Sequence, residues 1–504
     1  MSSTKAESWQ RIHVNIAGSR KQFISQLENI QQTQAQQLSR IVNHHKKTEF
    51  GRQHQFSEIK NTDDFVQAVP IQTYETLEPY FTAQAQDPAS EVICFEETGG
   101  STQGAKIIPY TENSLQSFQN ALLPWLDDLL LSRPAIKQGS AYWSISPALR
   151  NKRTTSGGHP VGLDNDALYF GQKLAADIGN TLAVNADVAA CVDFETWRYN
   201  TLSALIQAED LRFISVWSPT FILDLVNHLP KILDQLLREL NKFNPKRAKQ
   251  INAACQSHPI DTRQIWPDLD TISCWTDGAS AGFLAKLKQL FPQAFIQGKG
   301  LLATEGIVSI PLSDAPAPVL TANSGFYEFL DENNTVRQSH ELVQGKEYQV
   351  IITNDSGLYR YNLGDNVSME GYYHNAPMLR FKGRCNHTSD ICGEKLTDAF
   401  VADALSNVDG FAMLSPYQTT KSCYLLIVSD SNILADGIDS SLSKNPQYRY
   451  AREIGQLGPV EIRVIPDAMQ HYTHHQMQKG QQLGDIKPPA LNTDATTLDA
   501  ILNT

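Results

Sequence analysis

Four short stretches of this chain combine residue types suited to gripping a nucleotide. The first is Thr98-Gly99-Gly100-Ser101-Thr102-Gln103-Gly104-Ala105-Lys106, followed by Pro109-Tyr110-Thr111. Small residues and hydroxyls after a strand offer backbone N–H groups and side-chain donors to phosphate oxygens, and glycine lets the backbone approach closely. Lys106 would anchor such a loop or add charge to it. The spacing is not that of a Walker A loop, because Ala105 stands where that motif needs lysine, nor that of a G-x-G-x-x-G turn. An ordinary polar loop is the competing reading. The second stretch, Ala303-Thr304-Glu305-Gly306, sets a carboxylate beside a hydroxyl, the hard oxygen donors that magnesium prefers. A solvated loop glutamate would look the same. The third runs from Gly357 through Tyr359-Arg360-Tyr361 to Gly364-Asp365. An aspartate at a strand end accepts two parallel hydrogen bonds from a ribose, or else bonds its own turn. The fourth pairs Phe381-Lys382-Gly383-Arg384-Cys385-Asn386 with Gly393-Glu394-Lys395-Leu396-Thr397. A cation in either loop could meet a phosphate across a cleft, although a single lysine usually sits on a solvated face.

These stretches need a frame. From Ile12 to His45 there is no proline, and Phe23, Leu27, Ile30, Leu38 and Ile41 form a narrow apolar stripe on a polar helix. Glu91-Val92-Ile93-Cys94-Phe95 reads as a strand feeding the glycine-rich loop. Between Gly139 and Phe291 strand and helix signals alternate. Phe213–Trp217 and Thr271–Trp275 are strand-like, whereas 221–243 and 283–291 have helical periodicity. That alternation predicts an α/β fold with a largely parallel sheet. From Gly306 to Phe381 the pattern turns β-rich, and a smaller α/β unit follows. The expected boundary gives domains 1–383 and 384–504.

The bulk properties agree with a large protein of several domains. At 504 residues the chain is long enough for two or three domains with self-sufficient cores. A net charge of −12 disfavours nucleic acid as a partner. Seven scattered cysteines without a C-x-x-C pair argue against a disulfide framework or structural zinc. The apolar run 121–131 carries Asp127 and Asp128 and is too short for a bilayer, so no membrane partner is expected. A cytoplasmic protein is the resulting expectation. Oligomeric state is not legible.

The order of the four stretches, together with Phe50-Gly51-Arg52, Val69-Pro70-Ile71, Ser215-Val216-Trp217-Ser218-Pro219, Cys274-Trp275, Phe326-Tyr327-Glu328-Phe329 and 480–487, resembles the GH3 acyl-acid amido synthetases of the adenylate-forming superfamily, in a bacterial-type member. The resemblance covers nearly the whole chain. It implies a large N-terminal adenylate-forming domain, with parallel α/β subdomains and a β-rich subdomain, and a smaller mobile C-terminal domain. It also implies ATP and Mg2+ as cofactors, and a carboxylic acid and an amine (amino acid) as substrates. Gly99, Gly100, Ser101, Thr102, Lys106 and Thr304 would surround the nucleotide. Glu305 would place magnesium, Asp365 would hold the ribose, and Lys395 would contact the α-phosphate. Arg384 and Asn386 would lie at the hinge, and Lys487 would act in one of two half-reactions. Trp143, Tyr169, Phe170, Trp197 and Trp217 fall where an acyl pocket is expected, with core packing the competing role for most. Leu301 stands where an aromatic residue often stacks on adenine.

Other readings remain. Gly278-Ala279-Ser280-Ala281-Gly282 fits the G-x-S-x-G elbow of a serine hydrolase, with Asp365 and His387 as later triad members. The adenylate could instead pass to coenzyme A or a carrier thiol, or the chain could be a nucleotide-binding scaffold without turnover. His471, His474 and His475 read as a polar surface loop rather than a metal cluster.

Overall fold

The computed structural model describes residues 3–84, 91–98, 106–143, 153–155, 157–163, 166–185, 188, 191, 193–384, 388–392, 394–418, 422–430, 435–453 and 455–503. The expected single N-terminal helix is three: Ser3–Ile16, Ser19–Leu27 and Ile30–His45. Gly18, at φ 89°, separates the first two. Asn29 starts the third by accepting a hydrogen bond from Gln32 N. Their apolar stripes, including Phe23, Leu27, Leu38 and Ile41, close over the largest buried cluster.

The α/β expectation is met by a four-stranded sheet in the order Ser140–Trp143, Leu211–Ser215, Thr271–Cys274, Phe295–Gly298, with every pair parallel. Phe213, Ile214, Ile272 and Cys274 are fully enclosed, as strands covered on both faces must be. The helix Pro219–Leu240 begins on a Ser218 cap with proline in its first turn. Just beyond the carboxyl ends of three neighbouring strands lie Trp217, Trp275 and Lys299. Open parallel sheets bind ligands at that edge.

The β-rich region forms a seven-stranded antiparallel sheet in the order Ser309–Ile310, Val319–Leu320, Ala376–Arg384, Tyr361–Tyr373, Glu347–Thr353, Phe326–Leu330, Val336–Gln338. Asp365 lies inside the Tyr361–Tyr373 strand rather than at a strand end, opposite Arg384. The strand is longer than its motif suggested because its pairing with Ala376–Arg384 continues through two bulges.

The C-terminal unit holds the strands Ala412–Gln418, Ser422–Val428 and Glu461–Val464. Its apolar residues alternate between faces. Met413, Leu425 and Ile427 join the cluster around the parallel sheet, whereas Leu414, Tyr424, Leu426 and Val428 join a separate one. The unit docks tightly. Gly410 N donates to Gly282 O at 2.7 Å, and Lys382 pairs with Asp403. A Cβ on Gly383 would lie 2.8 Å from the backbone of Ala399.

Candidate active site

The Thr304-Glu305 turn joins the short antiparallel strands Leu302–Ala303 and Gly306–Ile307. Three side chains fix it. Tyr110 Oη donates to Thr304 O at 2.7 Å, Asn354 Nδ2 to Glu305 O at 2.5 Å, and Tyr327 Oη to Ile307 O at 2.6 Å. Glu305 is buried, which pushes its carboxyl above the ordinary value; Arg384 and Lys106 oppose that rise, and Asp365 adds to it. These four residues therefore share one electrostatic neighbourhood. Lys106 reaches it from the other side, donating to Tyr361 Oη at 3.3 Å and lying over the Tyr74 ring. The hairpin Val92–Glu97/Ile107–Thr111 closes at Thr98 N to Lys106 O, 2.8 Å, so the phosphate-loop candidate leaves the sheet next to Tyr361 and Glu305. Gly99, Gly100, Ser101, Thr102 and Asn386 themselves lie outside the described residues.

Lys487 enters the same cleft from the C-terminal unit. Its Nζ stands 3.9 Å from the centre of the Trp275 ring and 5.0 Å from that of Phe381. Tyr472 Oη holds its carbonyl at 3.2 Å. The residue as a whole is solvent-exposed, but desolvation of its ammonium against the two rings lowers its pKa to about 8, with Arg384 acting in the same direction. Lys395 is placed differently. It is exposed, in the left-handed region at φ 45°, and makes no ion pair among the described residues. Beneath it Glu394 is buried. It accepts from Ile391 N, Cys392 N and Tyr424 Oη. Burial pushes that carboxyl up, but these donors outweigh it and hold it below the ordinary value. The turn carrying Lys395 is thus rigid while its ammonium faces solvent.

A narrow cavity between these parts is lined by Trp275, Thr276, Asp277, Lys299, Leu301 and Lys487, among others. Trp217 packs on Trp275 with ring centres 5.6 Å apart, which brings one acyl-pocket candidate to its edge. Tyr169 stacks near Phe118 and Tyr110, and Trp143 packs on Phe170 at 4.8 Å. Trp197 is core, packed on Phe221. Lys299 and Asn354 were not singled out from sequence, and Tyr361 and Phe381 stood inside the quoted motifs without a role of their own. Of these, only Lys299 carried a readable hint, the Gln297-Gly298-Lys299-Gly300 run leading into the Thr-Glu turn.

The hydrolase elbow does not assemble among the described residues, and His387 lies outside them. Ser280 sits in a buried 3-10 turn under the C-terminal unit, and Asp365 is committed to Arg384 at 3.2 Å. No hydrogen bond joins Ser280 to a histidine among the described residues. His471, His474 and His475 lie on the helix Ala468–Gln478, not in a loop. No metal-binding group of three or more His, Cys, Asp or Glu exists among the described residues. No described helix is long and apolar enough to cross a membrane.

The chain matches the GH3 family N-terminal domain over residues 19–296, the central domain over 318–384 and the C-terminal domain over 395–496. It belongs to the GH3 family. It is similar to indole-3-acetic acid-amido synthetase GH3.4 of Arabidopsis thaliana, 21% identical across 93% of this chain and 90% of that protein. GH3.6 of the same plant is 23% identical across 82% and 76%. Among solved structures, GH3.15 acyl acid amido synthetase in complex with 2,4-DB superposes with a TM-score of 0.83 at 20% identity, covering 96% of both chains. A 2-hydroxyisobutyryl-CoA ligase shares the fold at a TM-score of 0.54 and 12% identity, covering 96% of this chain and 91% of that one.

Proposed function

We propose that this GH3 protein activates a carboxylic acid with ATP and transfers the acyl group to an amine, an amino acid above all. Family membership makes it a ligase of the acyl-acid amido synthetase kind. The observation that carries the reading at the site is the convergence of Lys106, Glu305, Asp365, Arg384 and Lys487, from four distant parts of the chain, on one cleft.

In the first step the acid's carboxylate attacks the α-phosphorus and pyrophosphate leaves. Both reactants are anionic, so the cleft must supply positive charge and alignment. Lys487, which already lines the cleft, would balance charge on the α-phosphate oxygens. One preorganised donor of this kind is worth about 3–4 kcal/mol. Asp365 would accept both ribose hydroxyls and Leu301 would pack on the base. The residues suit magnesium: a single buried carboxylate, Glu305, matches an ion that takes most of its ligands from phosphates and water. When bound, magnesium would neutralise charge on the phosphate oxygens.

In the second step the amine attacks the acyl carbonyl and AMP leaves. We place the domain boundary at 383/384, with the C-terminal unit turning about Arg384–Asn386 between steps. Lys487 faces the cleft in the present arrangement, so exposed Lys395 would enter after the turn. That assignment differs from the first-step contact that the resemblance implies. The free thiols of Cys255 and Cys274 suit a reducing, cytoplasmic setting.

The test is pyrophosphate release across a panel of acids, with and without amino acids. Acid-dependent release and amide formation with an amino acid are expected. Stimulation by coenzyme A alone would move the acceptor to a thiol. Absence of release with every acid would refute the proposal.

A further inference from the structure

Lys299 is a buried ammonium that the mechanism above does not use. It stands at the carboxyl end of the strand Phe295–Gly298 and is only 7% exposed. Its Nζ donates to Ser215 Oγ at 2.7 Å and lies 5.4 Å from the Trp125 ring centre and 5.3 Å from that of Trp217. Trp125 is itself oriented by Nε1 donating to Gln297 Oε1 at 3.1 Å. No carboxylate pairs with Lys299 among the described residues, and the neighbouring Cys274 thiol is buried, which pushes its pKa up and keeps it neutral. A lysine held without a counter-ion is costly. Burial lowers its pKa to about 8. Two indole faces offset part of that cost but leave ammonium hydrogens without acceptors. The side chain lines the same cavity as Trp275, Leu301 and Lys487.

The charge logic selects the occupant. A carboxylate loses its negative charge when it becomes an acyl adenylate. A lysine placed to balance the reacting carboxylate would be stranded again after the first step, and would weaken the nucleophile before it. An anionic group elsewhere on the substrate keeps its charge through both steps. Trp217, which packs on the cavity-lining Trp275, would flank the carbon skeleton between such a group and the reacting end.

We propose that Lys299 receives a second anionic group on the acid substrate, so that the preferred acids are diacids, or acids with an equivalent oxyanion, whose far end lies between Trp125 and Trp217. This rests on the acid-activating reading of the cleft.

Matched acids test it: benzoate against isophthalate and terephthalate, and hexanoate against adipate. Two readouts are taken on the full chain, quenching of tryptophan fluorescence without ATP and pyrophosphate release with ATP. A diacid should bind about tenfold or more tighter than its monoacid, as expected for a hydrogen bond to a charged group. Lys299→Met should bring that ratio close to one while its thermal midpoint stays at or above wild type, and Lys299→Arg should retain most of the preference. If no diacid outbinds its partner, or Lys299→Met leaves the ratio unchanged, the proposal is overturned. Release from monoacids without diacid preference would sink this inference and leave the proposed function standing. A Lys299-dependent quenching ratio with no release from any acid would do the reverse.

Discussion

Arg384 Nε donates to Asp365 Oδ1 at 3.2 Å across two antiparallel strands, and both side chains act electrostatically on buried Glu305. The pair fixes the aspartate's orientation before any ligand arrives. One carboxylate oxygen faces the guanidinium, and under the proposed function the other would be left for ribose hydroxyls. Asp365→Asn keeps the shape but removes the charge and one acceptor. Loss of hydrogen bonds to a charged group, at about 1.5–3 kcal/mol, should raise the KM for ATP roughly 10- to 100-fold with a smaller change in kcat. Pyrophosphate-exchange kinetics measure both. An unchanged KM would remove Asp365 from the nucleotide site.

Lys487 yields a pH prediction whose sign is determined by its surroundings. Desolvation of its ammonium against Trp275 and Phe381, with Arg384 nearby, lowers its pKa from 10.5 to about 8. The ammonium is therefore present below about pH 8 and lost above it. A free-enzyme group of this kind should make kcat/KM for adenylation fall as pH rises through about 8. Bound phosphate favours the cation, so the corresponding limb of kcat should lie at higher pH. In Lys487→Arg, assayed with a monoacid so that Lys299 meets no second anionic group, the limb should vanish, because guanidinium stays charged. Lys487→Ala should cost about 100- to 1000-fold in kcat at pH 7. Survival of the alkaline limb in the arginine variant would assign it to another group.

Much of the frame was legible in the chain because its signals are local. Phe213–Trp217 and Thr271–Trp275 are dense in apolar residues since both faces of their sheet are covered, and that density survives without coordinates. The Thr-Glu turn and the Gly-Asp stretch were legible as types and order. Lys299 was not recognised as part of the site. Its burial is created by Trp125 and Trp217, 174 and 82 positions away, so the Gln297-Gly298-Lys299-Gly300 run alone could not tell it from a surface lysine. The break at Gly18 was missed for the opposite reason: one flexible residue outweighed a long apolar stripe. The histidines at 471, 474 and 475 misled because polar composition says little about whether a segment is helical.

Under the proposed mechanism Lys395 would serve the second half-reaction rather than the first. It is exposed on a turn that Glu394 and Tyr424 hold rigid, whereas Lys487 occupies the cleft. Lys395→Ala should leave acid-dependent pyrophosphate release within about threefold of wild type and lower amide formation by about tenfold or more, the scale of one charge-assisted contact. Parallel assays on the same preparation decide it. Equal loss in both assays would return Lys395 to the α-phosphate of the first step.

The Tyr359-Arg360-Tyr361 motif holds the frame rather than the ligand. Arg360 and Glu328 form a fully buried two-point pair, with Nε to Oε2 and Nη2 to Oε1 both at 2.9 Å. Arg360 Nη1 also donates to Val66 O and Val69 O, tying the N-terminal helical region to the sheet that carries Asp365. Arg360 reaches these partners from a left-handed backbone, φ 48°, secured by its N–H to Thr353 Oγ1. Removing one partner strands the other without solvent. Arg360→Met and Glu328→Leu should each destabilise the fold by about 3–5 kcal/mol, and the double variant should recover most of that loss. Denaturant unfolding of the four proteins closes the cycle. Additive losses in the double variant would show that the two side chains contribute independently, and the motif would then lose its role as a clamp.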